Sequence, residues 1–199
     1  MRKISFVLFP MLALALLMGI ASGTAAAQAV TTTGDNSVYF VTYFSNNLPL
    51  LATVPDATVR FINDGDTSGN LWAAFYVFDD SEEMTECCAC VVTPDGLLAE
   101  SVKTQLTAAP LTGKVPSRGV IKVISSSTAD PTNVVPTAGL RGWATHIQKS
   151  GASTYAITET TFADSNLVGA ERSLLQSLCF YDALFSGLPC TCTPEDHEF

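Results

Sequence analysis

Short runs of apolar, β-branched and aromatic residues recur from residue 38 onwards, separated by polar or glycine- and proline-containing turns. Each run has the length and composition of a β-strand. The runs cover residues 38–44, 57–62, 71–78, 97–106, 120–124, 140–148 and 155–162. Since no helical periodicity interrupts them before residue 167, the pattern predicts an all-β domain.

Two neighbouring runs distribute their apolar side chains differently. Residues 57–62 alternate, with Ala57 and Phe61 on one face, which predicts a strand covered on one side. Residues 71–78 are apolar throughout, which predicts a central strand covered on both sides. The segment between them, 63–70, is rich in Asn, Asp and Gly, as turns are. We therefore predict that the two strands form a hairpin.

One segment has helical periodicity. Its apolar residues recur at steps of three and four: Leu167, Ala170, Leu174, Leu178, Tyr181 and Phe185. Asp164, Ser165 or Asn166 can cap its start, and Gly187 followed by Pro189 can end it. Strands and helix together predict a β-sandwich, Ig-like or similar, with one C-terminal α-helix at about residues 167–186.

The first residues have the parts of an export signal. Arg2 and Lys3 are basic, residues 4–20 carry no charge, and Ala25-Ala26-Ala27 and Ala27-Gln28-Ala29 both satisfy the small-x-small cleavage rule. A retained anchor is the alternative, but the apolar core is short for a span of ~20 residues. We predict a signal peptide over residues 1–29, cleaved after residue 27 or 29. The sandwich domain then covers 30–192, and 193–199 form a disordered tail.

The net charge of the chain limits the kinds of partner that it can bind. Cleavage would change the net charge from −9 to −11, because Arg2 and Lys3 are lost. Such an acidic chain repels nucleic acid and anionic membranes, so we predict neither as a partner. No second apolar run approaches spanning length, and we predict no membrane span after cleavage. The predicted location is secreted, periplasmic or cell-surface.

Six cysteines form two triplets about ninety residues apart: Cys87, Cys88, Cys90, Cys179, Cys190 and Cys192. In an oxidising compartment they predict three disulfides. In an extended strand Cys88 and Cys90 share one face and Cys87 points to the other. We therefore expect Cys88 and Cys90 to bond the tail pair, which leaves Cys87 for Cys179, although six cysteines allow other pairings.

Two metal sites compete with simpler interpretations. Cys-Cys-x-Cys and Cys-x-Cys offer four sulfurs to zinc, but their spacing is not that of a zinc ribbon. Asp64, Asp66 and Ser68 place oxygens as a calcium loop does, but Phe75 stands where an EF-hand needs a bidentate Glu. We interpret residues 63–70 as a turn with weak calcium candidates, and we predict no cofactor.

Catalytic motifs are scarce. The acidic run of residues 79–86 is interpreted as a solvated loop, with calcium or a basic partner as the functional alternative. The two histidines, His146 and His197, accompany no Gly-x-Ser-x-Gly or His-Glu-x-x-His motif. Strand aromatics can form a platform for a sugar, but such side chains are more often core: Trp72, Tyr76, Trp143 and Tyr155. We assign no catalytic residue.

The segment 86–97, Glu-Cys-Cys-Ala-Cys-Val-Val-Thr-Pro-Asp-Gly-Leu, resembles an E-C-C-x-C-x-V-T-P-x-G-L pattern in an uncharacterised group of bacterial secreted proteins. Those proteins have a Y-V-F-D strand before the pattern, here 76–79. They end in an L-Q-x-L-C helix, here 175–179, followed by closely spaced cysteines. The group has no known activity, so the resemblance implies export and a shared fold.

These observations predict an exported, non-catalytic structural or adhesive protein of the cell surface. Self-assembly by strand exchange is one hypothesis, in which Val38, Phe40 and Phe44 of a donor strand are buried in a neighbour. The same strand can instead open its own sandwich, which we favour because monomeric proteins usually suppress exposed edges. The alternative function is that of a secreted hydrolase or carbohydrate-binding protein with an aromatic or acidic cleft.

Overall fold

The computed structural model describes residues 37–45, 55–67, 69–185 and 190–192. The predicted signal peptide and C-terminal tail lie outside these ranges. Within them the elements are β1 (Tyr39–Ser45), β2 (Thr58–Asn63), β3 (Leu71–Asp79), β4 (Met84–Val92), β5 (Leu97–Ser101), β6 (Arg118–Ser126), β7 (Leu140–Lys149), β8 (Tyr155–Thr161), β9 (Ala163–Asp164) and α1 (Gly169–Phe185). None of the described helical residues forms a segment long and apolar enough to cross a bilayer.

The strands form two antiparallel sheets. Sheet A has the order β4-β3-β6-β1-β9, and sheet B has the order β5-β2-β7-β8. Strands β8 and β9 are nearly continuous: the chain leaves sheet B at Thr161 and joins sheet A at Ala163, next to β1. The fold is therefore a sandwich with a single C-terminal helix, as the sequence pattern predicted.

The predicted hairpin of residues 57–62 and 71–78 is wrong. Strand β2 pairs with β5 and β7 in sheet B, whereas β3 pairs with β4 and β6 in sheet A. The connection between them therefore crosses from one sheet to the other. Asn63 fixes the start of this crossing, because its side-chain amide donates to the Gly69 and Val92 carbonyl oxygens at 2.9 and 3.0 Å.

Strand β3 is the central strand that its apolar composition predicted. It lies between β4 and β6, and its side chains enter two separate apolar clusters. Ala73, Phe75 and Val77 belong to the cluster between the sheets. Ala74 and Tyr76 belong to a second cluster, on the outer face of sheet A beneath α1. Both faces of β3 are thus removed from water, which explains its uninterrupted apolar sequence.

An aromatic group occupies the space between the sheets. The ring of Phe61 on β2 lies 6.2 Å from Phe40, 5.6 Å from Phe75 and 4.9 Å from Phe162, measured between ring centroids. Gly142 on β7 lies against this ring, and a Cβ there would stand 2.4 Å from a Phe61 carbon. Glycine is therefore needed at residue 142 for the two strands to pair with the ring between them.

The fully buried residues of helix α1 are not those that defined its period, although Leu178 of that set packs against the cluster beneath the helix. Its buried residues are Leu175, Cys179 and Asp182, whereas Leu174 and Tyr181 are 50% and 56% exposed. Apolar residues occupy two arcs of this helix, and the disulfide at Cys179 determines which arc meets the sheet. Residues 164–166 do not cap it either, because the helix begins at Gly169.

A salt bridge and a hydrogen bond attach the first turn of α1 to sheet A. Glu171 in the first helical turn accepts hydrogen bonds from the Tyr39 hydroxyl at 2.8 Å and from Lys122 Nζ at 2.6 Å. The Lys122 bond lowers the pKa of Glu171, and burial raises that of Tyr39. A carboxylate at a helix N-terminus is also favoured by the helix dipole. These contacts attach α1 to β1 and β6.

Candidate functional site

Three disulfides join strand β4 to the C-terminal part of the chain. Cys87 bonds Cys179 in α1, with 5.7 Å between their Cα atoms, within the range for an ordinary disulfide. Cys87 belongs to the cluster beneath the helix, whereas Cys88 and Cys90 belong to the cluster between the sheets. Strand alternation therefore places each sulfur on the side where its partner lies, as the sequence predicted.

The other two bonds lie side by side. Cys88 bonds Cys190 and Cys90 bonds Cys192, each with 5.4 Å between Cα atoms. The sulfurs of Cys88, Cys90 and Cys192 all lie within 4.8 Å of one another, and they are the only such group of three metal-type ligands in the described ranges. Their positions also fit a thiolate metal site, but a sulfur in a disulfide is not a thiolate ligand. The cluster is a covalent staple in this structure.

The acidic run separates into groups with different roles. Asp79 Oδ1 accepts hydrogen bonds from the Ser81 and Glu83 amides, which shapes the β3–β4 turn. Asp80 forms an ion pair with Arg118 at 2.8 Å, and this bond lowers its pKa. Glu86 is fully buried in β4. The interpretation as a solvated loop therefore holds for the turn and is wrong for Glu86.

Glu86 is a buried carboxyl with a strongly raised pKa. Its Oε1 accepts a hydrogen bond from the Ala109 amide at 2.9 Å, and its Oε2 has no hydrogen-bond partner among the described residues. Burial, and to a smaller extent the nearby Asp182 carboxylate, raise the pKa of Glu86 to about 7, against the lowering effect of the Ala109 hydrogen bond. Asp182 is itself buried in α1, with Oδ2 3.7 Å from Cys87 Sγ. Both carboxyls are fully or almost fully buried, so neither is exposed to a substrate.

The calcium candidates are engaged in turn structure. Asp64 Oδ1 accepts a hydrogen bond from the Asp66 amide at 3.2 Å, and its other oxygen lies 3.4 Å from Arg141 Nε. Ser68 lies outside the described residues. The arginine neutralises the first candidate ligand, and the short-range hydrogen bond is the one expected of an Asx turn.

The aromatic side chains do not form one platform. Trp72 and Tyr76 lie in sheet A, whereas Trp143 and Tyr155 lie in sheet B. Tyr76 is fully buried and donates from its hydroxyl to the Pro131 carbonyl oxygen at 2.7 Å. Tyr76 therefore serves the fold, and the other three side chains are half-buried.

His146 is a packing residue in the described structure. It is almost fully buried, stacks on Tyr43 with 4.1 Å between ring centroids, and has Nε2 2.8 Å from Thr160 Oγ1. Burial lowers its pKa. It therefore joins β1, β7 and β8 as a neutral ring.

The proposed donor strand is used within its own chain. Strand β1 pairs with β6 along its whole length, and Phe40 and Phe44 are buried between the sheets. Val38 does not share their side, because it packs against the cluster beneath the helix. Strand exchange would therefore have to remove two core aromatics from each copy.

Strand β8 is the open edge of sheet B. It pairs with β7 in continuous register from Trp143↔Thr161 to Lys149↔Tyr155, and no described strand pairs with its other side. Tyr155 is half-buried and the remaining six residues are exposed, including Ile157 at 59%. Because alternate residues of an antiparallel strand direct their N–H and C=O groups away from the paired neighbour, this edge presents unpaired backbone groups to solvent.

The other strand edges are covered in part. The amide of Leu111 donates to the Thr85 carbonyl oxygen at 2.9 Å, so a loop covers part of the β4 edge. Beyond the two residues of β9, strand β1 approaches β7, where Tyr43 meets His146. At the end of β5, Ser101 accepts hydrogen bonds from the Gln105 and Leu106 amides. Among the described edge strands, β8 therefore has the most exposed residues: six, against two in β5, two in β9 and none in β4.

No family model, curated protein or solved structure matches this chain. The resemblance of segment 86–97 to a secreted group therefore stays a prediction. A proposal about function has to be based on the surfaces of the molecule.

Proposed function

We propose that this chain is an exported, non-catalytic structural or adhesive subunit of the cell surface that associates with further copies of itself through strand β8. The observation that carries the proposal is the open edge of residues Tyr155–Thr161. The three disulfides support the exported location, because such bonds persist outside the reducing cytoplasm.

The sequence of β8 lacks the features that usually protect an edge. Tyr-Ala-Ile-Thr-Glu-Thr-Thr contains no proline and no lysine, and its register with β7 has no bulge. Its one charge, Glu159, forms an ion pair with Arg60 of the same chain at 3.0 Å. The threonines favour extended structure. An edge of this kind is a template for another strand, and a second β8 in antiparallel orientation would extend sheet B across a two-fold axis.

The test is the oligomeric state of the disulfide-intact exported protein. Ile157→Asp places a charge on the edge and should abolish this association, since it removes an apolar contact and adds repulsion in both copies. Leu97→Asp is the matched control, because Leu97 is 51% exposed on β5, at the opposite edge of the same sheet. Light scattering coupled to gel filtration should give a lower mass for Ile157→Asp and the wild-type mass for Leu97→Asp.

Amide hydrogen exchange supplies a second readout. Residues 155–161 should be more protected at high than at low protein concentration. A wild-type chain that is monomeric at all concentrations, with concentration-independent exchange in β8, would refute the proposal. The hydrolase or carbohydrate-binding alternative would then gain weight, and glycan-array binding would test it.

A further inference from the structure

Helix α1 has an apolar face that is largely exposed in the described structure, although Tyr181 lies beside Glu82 and Glu83 and Phe185 lies beside the loop of residues 108–115 at its margins. We define the α1 stripe as its five exposed large apolar residues: Leu174, Phe180, Tyr181, Leu184 and Phe185. Their exposed fractions run from 50% to 75%. Single exposed apolar residues are ordinary, but five on one helix form a contiguous patch, and such patches mark interaction sites.

We infer that the α1 stripe is a second self-association surface, on which α1 of another copy packs in antiparallel orientation. The inference deepens the proposed function: the formation of a chain of copies needs both the β8 contact and the α1 contact. The dimer contact at α1 depends only on residues of the helix.

The spacing of the stripe fits helix pairing. Leu174, Ser177, Tyr181 and Leu184 follow steps of three, four and three, which keeps them on one side of the helix. An antiparallel partner can set each Tyr181 beside the small Ser177 of the other copy and each Leu174 beside the other Leu184. Large side chains then meet small ones, as interdigitated helix packing requires.

The charges of α1 lie away from the stripe. Glu171 is bonded to Tyr39 and Lys122, and Asp182 is buried against β4. Arg172 projects from another side of the helix, two residues before Leu174. The outward arc of the helix itself therefore carries no charge, although the chain has 29 charged residues, 10 basic and 19 acidic, and Glu82 and Glu83 of the β3–β4 turn lie beside Tyr181 at its margin. When the uncharged arc meets the same arc of a second copy, the helices bring no like charges together, whereas an anionic membrane would face the acidic surface around the arc.

The area of the stripe suits a reversible dimer. Aromatic side chains bury roughly 150–250 Å² each, so three aromatics and two leucines at these exposures offer roughly 500 Å² per copy. Two copies would then bury roughly 1,000 Å², the lower limit for a specific interface. We therefore expect dimers that form and dissociate with concentration in the micromolar range.

The two surfaces do not overlap. The stripe lies on the solvent side of α1, which covers the outer face of sheet A, whereas β8 is the edge of sheet B. Two different two-fold contacts on one subunit allow copies to alternate β8–β8 and α1–α1 interfaces in an open chain. A subunit with β8 alone would stop at the dimer.

Sedimentation velocity on the disulfide-intact exported protein tests the inference. Leu174→Lys with Tyr181→Lys puts like charges on both helices and should weaken the α1 contact at least tenfold, so that only the β8 dimer remains. Ile157→Asp should leave only the α1 dimer, and the three changes together should give a monomer. Val135→Lys is the control, because Val135 is equally exposed, at 48%, and lies outside both surfaces.

The outcomes separate the two proposals. If association persists unchanged in the stripe variant and disappears with Ile157→Asp, the inference is wrong and the proposed function stands. If only the stripe variant lowers the mass, the α1 contact is correct and the β8 proposal is wrong. A stripe variant with a wild-type mass and a lowered melting temperature would mean that another segment of the same chain covers the stripe, which also overturns the inference.

Discussion

Replacing Glu86 by glutamine should change how the stability of this protein depends on pH. Glu86 has an ordinary pKa of 4.5 in the unfolded chain and a folded pKa of about 7. Below pH 4.5 both states hold the proton. Between pH 4.5 and 7 the folded state still holds a proton that the unfolded chain has released, so stability falls as pH rises through this window. The shift corresponds to about 3 kcal/mol.

Glutamine keeps the shape and the acceptor for the Ala109 amide, and it removes the charge. Its amide nitrogen takes the place of Oε2, which has no partner among the described residues, and a buried unpaired donor costs about 1–3 kcal/mol. The absolute gain at pH 8 is therefore small. The difference between the two proteins should nevertheless change by about 2–3 kcal/mol between pH 5 and pH 8, because the amide does not titrate.

The assay is urea unfolding with disulfides intact, followed by circular dichroism at pH 5 and pH 8. Contributions of carboxyls that do not interact with Glu86 cancel in the comparison of variant with wild type. Glu83→Gln is the control, since Glu83 is exposed in the turn just before β4. This variant should change the unfolding free energy by the same amount at pH 5 and at pH 8. Parallel pH dependence of wild type and Glu86→Gln would show that Glu86 is ionised in the folded state and would refute the reasoning.

Three further perturbations probe the fold. Ala73→Asp and Ala74→Asp should each lower the unfolding free energy by about 3–5 kcal/mol, because they bury a charge in one cluster or the other; a near-normal melting temperature for either would place β3 at an edge. Cys87→Ala with Cys179→Ala removes one disulfide and leaves the other two intact, so it opens a loop of roughly a dozen residues. The unfolding free energy should fall by about 3 kcal/mol, and the amides of α1 should exchange faster with solvent. Deleting residues 28–44 removes β1 and should unfold the chain, whereas a folded remainder that accepts the missing peptide would restore the strand-exchange hypothesis.

Local rules determined much of this fold. Alternation along a strand sets the direction of each side chain, so the spacing of Cys87, Cys88 and Cys90 indicated which sulfurs face the helix and which face the tail, and the structure confirms this expectation among the several possible pairings. Uninterrupted apolar sequence identified β3 as central, because only a strand covered on both faces has no need of polar positions. Glu86 is separated from Cys88 and Cys90 by even numbers of residues, so strand alternation places it on the same face as they are. That pattern is the signal that could have indicated its burial.

Tertiary structure decided what depends on long-range pairing. The turn between β2 and β3 is compatible with a hairpin or with a crossing between sheets, and the pairing of β2 with β5 and β7 selected the crossing. Helix α1 has apolar residues on two arcs, and a bond to a strand 92 residues away selected the buried one. Whether β8 is an edge depends on which other strands lie beside it. A strand's own residues set its conformation, but its neighbours in the sheet come from distant parts of the chain, so the sequence predicted the strand while only the folded structure revealed its open side.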